Sequence, residues 1–320
     1  MNPVNISRPV TATVTRLPGT GLANFFALRG RRVYRACGVF WYSVPGRFLM
    51  NLPYQQALDP SRKELRDLLL SSRAAGVRFL SDRWPGLAGG VYIRRKGSYD
   101  LNAVHYKHRP RVRKGLETFE IRPVEKKELL DQALEANRGT MARQGRYDPE
   151  FAEVEPWRRL VKAMGSCPEV SAIGAFKGRQ LSAYMIVCKE DHWLHILHQM
   201  SHWDRLKSFP NHALTYYVTK AASEDPSLEG VCYGLVSLVA NEGLHEYKLR
   251  FGYDLIRRTC AFVLNPGLDP LLNNRVVHWG VQRLRKLRPE DQRLEMMDTV
   301  LRGAALTSRD AITEKCRSRT

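Results

Sequence analysis

The sequence has no long apolar run. Among its 320 residues, no stretch approaches the roughly 20 apolar residues that a membrane-spanning helix needs. The first 22 residues are mixed polar, with scattered valine and proline, and contain no apolar signal-peptide core. We therefore expect a loose N-terminal leader and a cytoplasmic protein. The alternative is a protein that contacts the inner membrane face peripherally, through the C-terminal tail.

Cysteine is sparse and unclustered. No two cysteines form a Cys-x-x-Cys pair, and their wide spacing disfavours both a disulfide framework and a structural zinc site. The six are Cys37, Cys167, Cys188, Cys232, Cys260 and Cys316. Their distribution fits a reducing compartment.

Several catalytic motifs are also absent. The sequence contains no Gly-x-Ser-x-Gly elbow, no His-Glu-x-x-His pair and no Walker-type phosphate loop, so hydrolase, metalloprotease and kinase activities have no support. Four histidines lie close together at His192, His195, His198 and His202. On a strand, His195 and His198 point to opposite faces, and we therefore predict no metal site. We also expect no bound cofactor.

Positive charge is concentrated in the first third of the chain. The net charge is +19, and residues 1–115 hold 21 Lys/Arg against 5 Asp/Glu, whereas residues 116–265 are close to neutral. A basic segment joined to a neutral one indicates an anionic partner. RNA, a phosphorylated substrate and an anionic membrane surface all fit, and so does a merely solvated arginine-rich surface.

Hydrophobic periodicity predicts an α/β fold. From Phe119 to Leu264 we predict a strand, two helices, three antiparallel strands, a helix, a strand, a helix and a closing strand pair. This order builds a mixed sheet flanked by helices. Upstream, we predict a loop at Gly86 to Gly90, a strand at Ser98 to Val104, and a solvated helix or linker at Lys107 to Gly115. Two helices are expected after Pro266.

Short motifs in this frame resemble the FemAB-like family of the GNAT superfamily. An aromatic-Lys-x-x-Phe-Gly run is formed by Tyr247, Lys248, Phe251 and Gly252, and Tyr233-Gly234 ends the preceding strand. A basic stretch from Arg109 to Gly115 resembles the connection between the two halves of that family.

The resemblance implies tandem GNAT-like domains and amide chemistry. It places a basic GNAT-like domain at residues 1–115, an acyltransferase domain at 116–265 and a helical tail at 266–320. It implies N-acyl or aminoacyl transfer to an amine acceptor. The donor is left open among acyl-CoA, acyl carrier protein and aminoacyl-tRNA.

One departure from the GNAT pattern concerns the donor. Where acetyl-CoA enzymes carry a glycine-rich loop for the pyrophosphate, this chain has the glycine-free segment 204–211. We therefore expect that acetyl-CoA alone is not a good donor. The segment is still compatible with phosphate binding, because Arg205 and Lys207 precede a helix N-terminus that Pro210 and Asn211 begin.

Candidate site residues follow from the motif and the element order. Lys248 matches the family position that stabilises an oxyanion, with Tyr247 beside it, and His195 is a candidate general base. Loops are expected to bring Asp204, Tyr233 and Glu242 to the cleft. Each residue also has a structural interpretation, as a surface lysine, a packed histidine or a capping group. His198 is predicted to be a packed histidine.

Two further interpretations stay open. The candidate anion-binding residues are Arg109, Arg111, Arg113 and Lys114. Because of them, the alternative function of a non-catalytic nucleic-acid-binding or adaptor protein on a GNAT-like scaffold stays open. In the tail, a helix around Trp279 carries Arg285, Lys286 and Arg288. It either packs on the core of the protein or meets anionic lipids.

Overall fold

The computed structural model describes residues 21–238 and 242–317, with side chains as far as residue 308. The expected leader at residues 1–20 lies outside this range. In the described part, no helix is both long and apolar enough to span a bilayer.

Helices lie before, between and after the strands. Ser61 begins the second of them with a reciprocal capping box to Glu64. The helices are α1 (Gly21–Leu28), α2 (Arg62–Ser72), α3 (Arg109–Thr118), α4 (Lys126–Arg143), α5 (Pro149–Ala152), α6 (Val154–Gly165), α7 (Pro210–Glu224), α8 (Glu242–Arg250), α9 (Asp269–Leu272), α10 (Arg275–Leu287) and α11 (Gln292–Arg317).

Eleven strands of the described chain form one mixed sheet. They are β1 (Val33–Ala36), β2 (Val39–Val44), β3 (Phe48–Leu52), β4 (Gly76–Ser81), β5 (Leu87–Arg95), β6 (Glu120–Pro123), β7 (Val170–Lys177), β8 (Gln180–Glu190), β9 (Trp193–Ser201), β10 (Gly230–Leu235) and β11 (Asp254–Leu264). Their order across the sheet is β1-β2-β3-β4-β11-β5-β10-β9-β8-β7-β6. The pairs β3/β4 and β9/β10 are parallel, and the other neighbours are antiparallel.

Successive side chains of the central strands enter two different cores. On β8, Tyr184 packs with Trp157 in the cluster under α4 and α6, whereas Met185 packs with Leu214 in the cluster under α3 and α7. This alternation follows from the two-residue period of a strand. The predicted α/β class, with a mixed sheet flanked by helices, is therefore confirmed.

The strands on the two sides of residue 115 are interleaved. β11 lies between β4 and β5, and β5 lies between β11 and β10. The expected boundary at residue 115 falls inside α3, so the division into segments 1–115 and 116–265 stays a prediction about the sequence. The prediction of a closing strand pair is wrong, because Asp254–Leu264 is a single strand that pairs with β4 and β5 from earlier in the chain.

Three local predictions upstream of this point need correction. Gly86 to Gly90 is mostly strand, since β5 begins at Leu87. Ser98 to Val104 is not a strand. The Asp100 carboxylate accepts the N–H groups of Asn102 and Ala103 and starts a short 3-10 helix there. Residues 109–115 belong to helix α3 and are not a linker. The helix tolerates Pro110 because this proline lies in its first turn.

The tail is helical, as predicted, but it contains three helices rather than two, and the last of them packs on the sheet. α11 packs on β11, where Gly303 lies against the ring of Phe262 and the Thr307 hydroxyl accepts the Phe262 N–H at 3.2 Å. α10 packs on α11. The tail is thus attached to the middle of the sheet.

Candidate active site

A cleft opens where β9 and β10 separate. Their parallel pairing ends at His195 and Cys232. A bulge then adds Leu197 to β9, because Val187 pairs with Ile196 while Ile186 pairs with His198. The cleft has a volume of about 820 Å³. Its lining includes Ile196, Leu197, His198 and Gln199 of β9, Phe209 to His212 at the start of α7, Tyr233 and Gly234 of β10, and Leu244, Tyr247 and Lys248 of α8.

Lys248 is a buried cation in this cleft. Its residue is 6% exposed, and its Nζ donates to the Tyr233 carbonyl at 2.7 Å. The same Nζ lies 4.3 Å from the centre of the Tyr92 ring and 5.0 Å from that of Tyr233, which are cation–π distances. Burial lowers the pKa of the ammonium from 10.5 to about 8. The group is therefore charged at neutral pH and needs little further desolvation to act on a substrate.

The α8 helix ends in a way that fixes Lys248. Gly252 follows it with a φ of +76°, and its N–H donates to the Leu249 carbonyl at 2.9 Å. The Phe251 ring is fully buried. Both residues of the Phe-Gly pair are structural, as their residue types suggest.

Tyrosine hydroxyls and polar side chains form a network on one wall of the cleft. The Tyr247 hydroxyl donates to the Asn211 carbonyl at 2.9 Å and lies 2.9 Å from the Thr215 hydroxyl. The Tyr233 hydroxyl donates to the side-chain carbonyl of Gln199, whose amide donates to the Asn211 carbonyl at 3.2 Å. These bonds hold β9, β10, α7 and α8 together around the space in front of Lys248.

Two arginines that the sequence did not single out complete the cleft. Arg143 and Arg146, at the end of α4 and in the loop after it, both line it. Burial lowers the pKa of each guanidinium. Within the described residues, no ion pair or hydrogen bond engages the Arg146 guanidinium. The mouth of the cleft is therefore positively charged.

The candidate residues fall into two groups in the structure. Lys248, Tyr247, Tyr233 and Asn211 meet in the cleft. Asp204, Arg205, Lys207 and Glu242 lie outside its lining. The Arg205 guanidinium donates to Asp204 at 3.1 Å and to Gln180 at 2.8 Å, so its donors are engaged away from the cleft.

The structure buries His195, the candidate base, and packs His198 as predicted. His195 is 1% exposed beneath the end of the β9/β10 pairing, and burial lowers its pKa to about 3, which does not suit a general base. His198 lines the cleft and also packs against Phe151, with ring centres 4.4 Å apart. Within the described residues, no cluster of three or more metal-ligand side chains occurs.

Two cations of the basic stretch on α3 lie beside the cleft. Arg111 and Lys114 each lie 5.7 Å from the centre of the Phe209 ring, which lines the cleft. Arg113 is exposed. Arg109 is engaged with backbone, because its guanidinium donates to the carbonyls of Val104 and Asn102.

Three solved structures align with most of this chain. FemX aligns with a TM-score of 0.55 and 13% identity over 85% of this chain and 99% of FemX. The C-terminal domain (DUF2156) of a putative lysylphosphatidylglycerol synthetase from Agrobacterium fabrum aligns with a TM-score of 0.53 and 14% identity, over 79% and 90% of the two chains. L-PGS from Bacillus licheniformis aligns with a TM-score of 0.50 and 11% identity, over 87% and 91%.

These likenesses concern the fold. No protein-family model matches the sequence, and no curated protein matches it. The chain has the tandem GNAT-like fold of FemAB-like proteins, with a C-terminal helical tail, as the motifs at Tyr247–Gly252 and Arg109–Gly115 predict.

Proposed function

We propose that this protein transfers an acyl or aminoacyl group to an amine and forms an amide in the cleft between β9 and β10. The observation that carries the proposal is the Lys248 ammonium, buried, oriented by the Tyr233 carbonyl and the Tyr92 ring, and still part of the cleft lining. A fixed cation in a site of low dielectric stabilises developing negative charge without reorganisation.

The reaction has a simple balance. The acceptor nitrogen attacks the carbonyl carbon of an ester or thioester donor and forms a tetrahedral intermediate with a negatively charged oxygen. Lys248 stabilises that oxygen. The carbon–oxygen or carbon–sulfur bond then breaks, and the proton lost by the amine goes to the departing alcohol or thiol.

The charge around the cleft supports an anionic donor other than simple acetyl-CoA. The segment before α7 lacks the glycines that let backbone amides approach a pyrophosphate. Arg143 and Arg146 line the mouth, and Arg111 and Lys114 flank it on α3. A polyanion such as a charged tRNA would meet both sets of cations, and its acylated end would reach the cleft.

Substitution of Lys248 tests the proposal once mass spectrometry of copurifying ligands has identified a donor or an acceptor. We expect Lys248→Met to lower turnover on the order of a hundredfold, as loss of one oxyanion donor does elsewhere. Lys220→Met is the matched control, because Lys220 is a helical lysine that only pairs with Glu224 at 3.5 Å. Full turnover by the Lys248→Met variant would remove the basis of the proposal.

Binding experiments test the donor class separately. Calorimetry is expected to find no tight, stoichiometric binding of acetyl-CoA. Binding of a polyanionic donor is expected to weaken as salt rises, and the Arg111→Glu/Arg113→Glu variant is expected to weaken it further without unfolding. If the affinity for the polyanion does not change with salt, the cations of α3 are only solvated surface residues and do not bind the donor.

A further inference from the structure

Helix α10 is fixed to the protein by one of its faces. Val281 is buried, and the Arg285 guanidinium donates to Asp298 of α11 at 2.7 Å and also pairs with Glu295. The Asn274 side chain caps its first turn by accepting the N–H groups of Val276 and Val277. Arg285, one of the three cations for which the sequence left lipid contact open, thus pairs with carboxylates inside the protein.

The opposite face of α10 is mostly apolar and uncovered, and the exposed Arg283 lies among its apolar side chains. Val276, Trp279 and Leu287 are 77%, 67% and 69% exposed, and Leu284 is 48% exposed. At 100° per residue these four side chains lie on one side of the helix. Leu271, 65% exposed in the preceding α9, adds to the same end of the molecule.

Cations accompany this apolar face. Residues 275–288 contain five Lys/Arg and no Asp or Glu. Arg285 is engaged as described, whereas Arg275, Arg283, Lys286 and Arg288 make no ion pair within the described residues. The apolar stripe therefore lies among unneutralised positive charges.

Charge and apolarity together select the occupant. Exposed Val, Trp and Leu side chains gain nothing from a phosphodiester backbone, which disfavours a nucleic acid. A second copy of the chain would bring two sets of like charges together, and its own residues 275–288 would offer no Asp or Glu to pair with them. An anionic bilayer offers an acyl boundary for Trp279 and the aliphatic residues and negative headgroups for the four cations.

The position of α10 relative to the cleft fits this surface. The short connection after α10 leads to Gln292, whose amide donates to the Gln144 carbonyl at 3.4 Å. Gln144 is itself part of the cleft lining. A bilayer that contacts α10 would therefore lie near the mouth of the cleft.

We infer that α10 is an interfacial helix that docks the protein onto anionic membranes through Val276, Trp279, Leu284 and Leu287. Flotation of the full chain with vesicles provides the test. Binding is expected to phosphatidylglycerol/phosphatidylcholine vesicles and to be much weaker with pure phosphatidylcholine. Absence of binding to the anionic vesicles would overturn the inference.

Charge substitutions locate the electrostatic part of the binding. Arg283→Gln/Lys286→Gln is expected to lower the partition coefficient on the order of twentyfold, since each cation near an anionic surface contributes about fivefold. The matched control is Lys63→Gln/Lys162→Gln, which removes two exposed cations from other helices. An equal loss in the control would mean that only the net charge matters, and α10 would not be the docking element.

Apolar substitutions locate the insertion. Trp279→Ala/Leu287→Ala is expected to lower partitioning about tenfold or more, because both side chains would leave the acyl boundary. Trp203→Ala/Leu70→Ala removes an equally apolar pair, 70% and 51% exposed, from other surfaces and is expected to bind as the parent does. A concentration-dependent dimer that Trp279→Ala abolishes, found together with no vesicle binding, would assign the face to self-association instead.

Discussion

The ionisation of Lys248 allows a direct test of its role. Its pKa lies near 8 because the side chain is buried, and the positive form is the one that can stabilise an oxyanion. About nine tenths of the groups are protonated at pH 7 and about one tenth at pH 9. A rate that depends on this charge is therefore expected to fall about tenfold between these values.

The assay compares the pH profiles of the parent and of the Lys248→Arg variant. The acceptor amine must lose its own proton, which raises both profiles with pH and cancels in their ratio. Arginine stays charged throughout the range, so only the parent is expected to show the falling limb. The ratio of parent to variant turnover should drop about tenfold from pH 7 to pH 9.

The shifted pKa also has consequences that need no substrate. The Cε chemical shift of Lys248, assigned by its absence in Lys248→Met, is expected to titrate near pH 8. The folded state releases this proton near pH 8 and the unfolded state near 10.5. The free energy of unfolding of the parent relative to Lys248→Met should therefore increase as pH rises through this window and decrease as pH falls through 8.

Two outcomes would refute this account of Lys248. A titration midpoint at 10.5 would mean that the ammonium is solvated rather than buried in the cleft. A turnover ratio that rises from pH 7 to pH 9 would mean that the neutral amine is the active form, and Lys248 would then act as a base.

Two predictions concern stability. Glu150→Gln leaves the buried Arg29 guanidinium without its carboxylate partner at 2.5 Å and is expected to cost about 3 kcal/mol by urea denaturation, whereas Glu155→Gln breaks a solvent-exposed pair and should cost less than about 0.5 kcal/mol. Equal costs would contradict this. Gly115→Ala places a Cβ 2.7 Å from the Phe209 carbonyl oxygen and is expected to destabilise by about 1–2 kcal/mol, whereas Gly280→Ala, with open space around it, should stabilise by up to about 1 kcal/mol.

Local patterns were sufficient where neighbouring residues determine the structure. The Lys177-Gly178-Arg179 turn predicts a hairpin, and Lys177 does pair with Gln180 across a two-residue loop in which Gly178 has a φ of +58°. The run from Tyr247 to Gly252 likewise predicts a helix that ends at a glycine. In both cases the conformation depends on residues a few positions apart.

The glycines at the start of β5 show where local patterns fail. A Cβ on Gly86 would lie 2.3 Å from the Cys260 carbonyl oxygen, and one on Gly90 would lie 2.4 Å from that of Ile256. These glycines therefore allow β11 to approach β5 closely rather than forming a loop. Nothing within residues 86–90 indicates a neighbour that is some 170 positions away in the sequence.

The candidate site was predictable only where a motif identified it. Lys248 and Tyr247 were found from the aromatic-Lys-x-x-Phe-Gly run. Arg143 and Arg146 resembled an ordinary charged helix end, because only the separation of β9 and β10 turns that end into a cleft wall. His195 was a plausible base by residue type, but its place in the strand pairing buries it.

The position of Lys248 depends on the segment that precedes residue 116. The last carbonyls of α8 have no partner within the helix. The N–H of His105 donates to the Arg250 carbonyl, the Tyr99 hydroxyl to that of Phe251, and the Arg94 guanidinium to that of Gly252, all at 2.8–2.9 Å. The strand that carries Arg94 also supplies the Tyr92 ring beneath the Lys248 ammonium. The cation that we propose to act on the substrate is therefore held jointly by the two halves of the chain, and the interleaving of β5 and β11 brings those halves together.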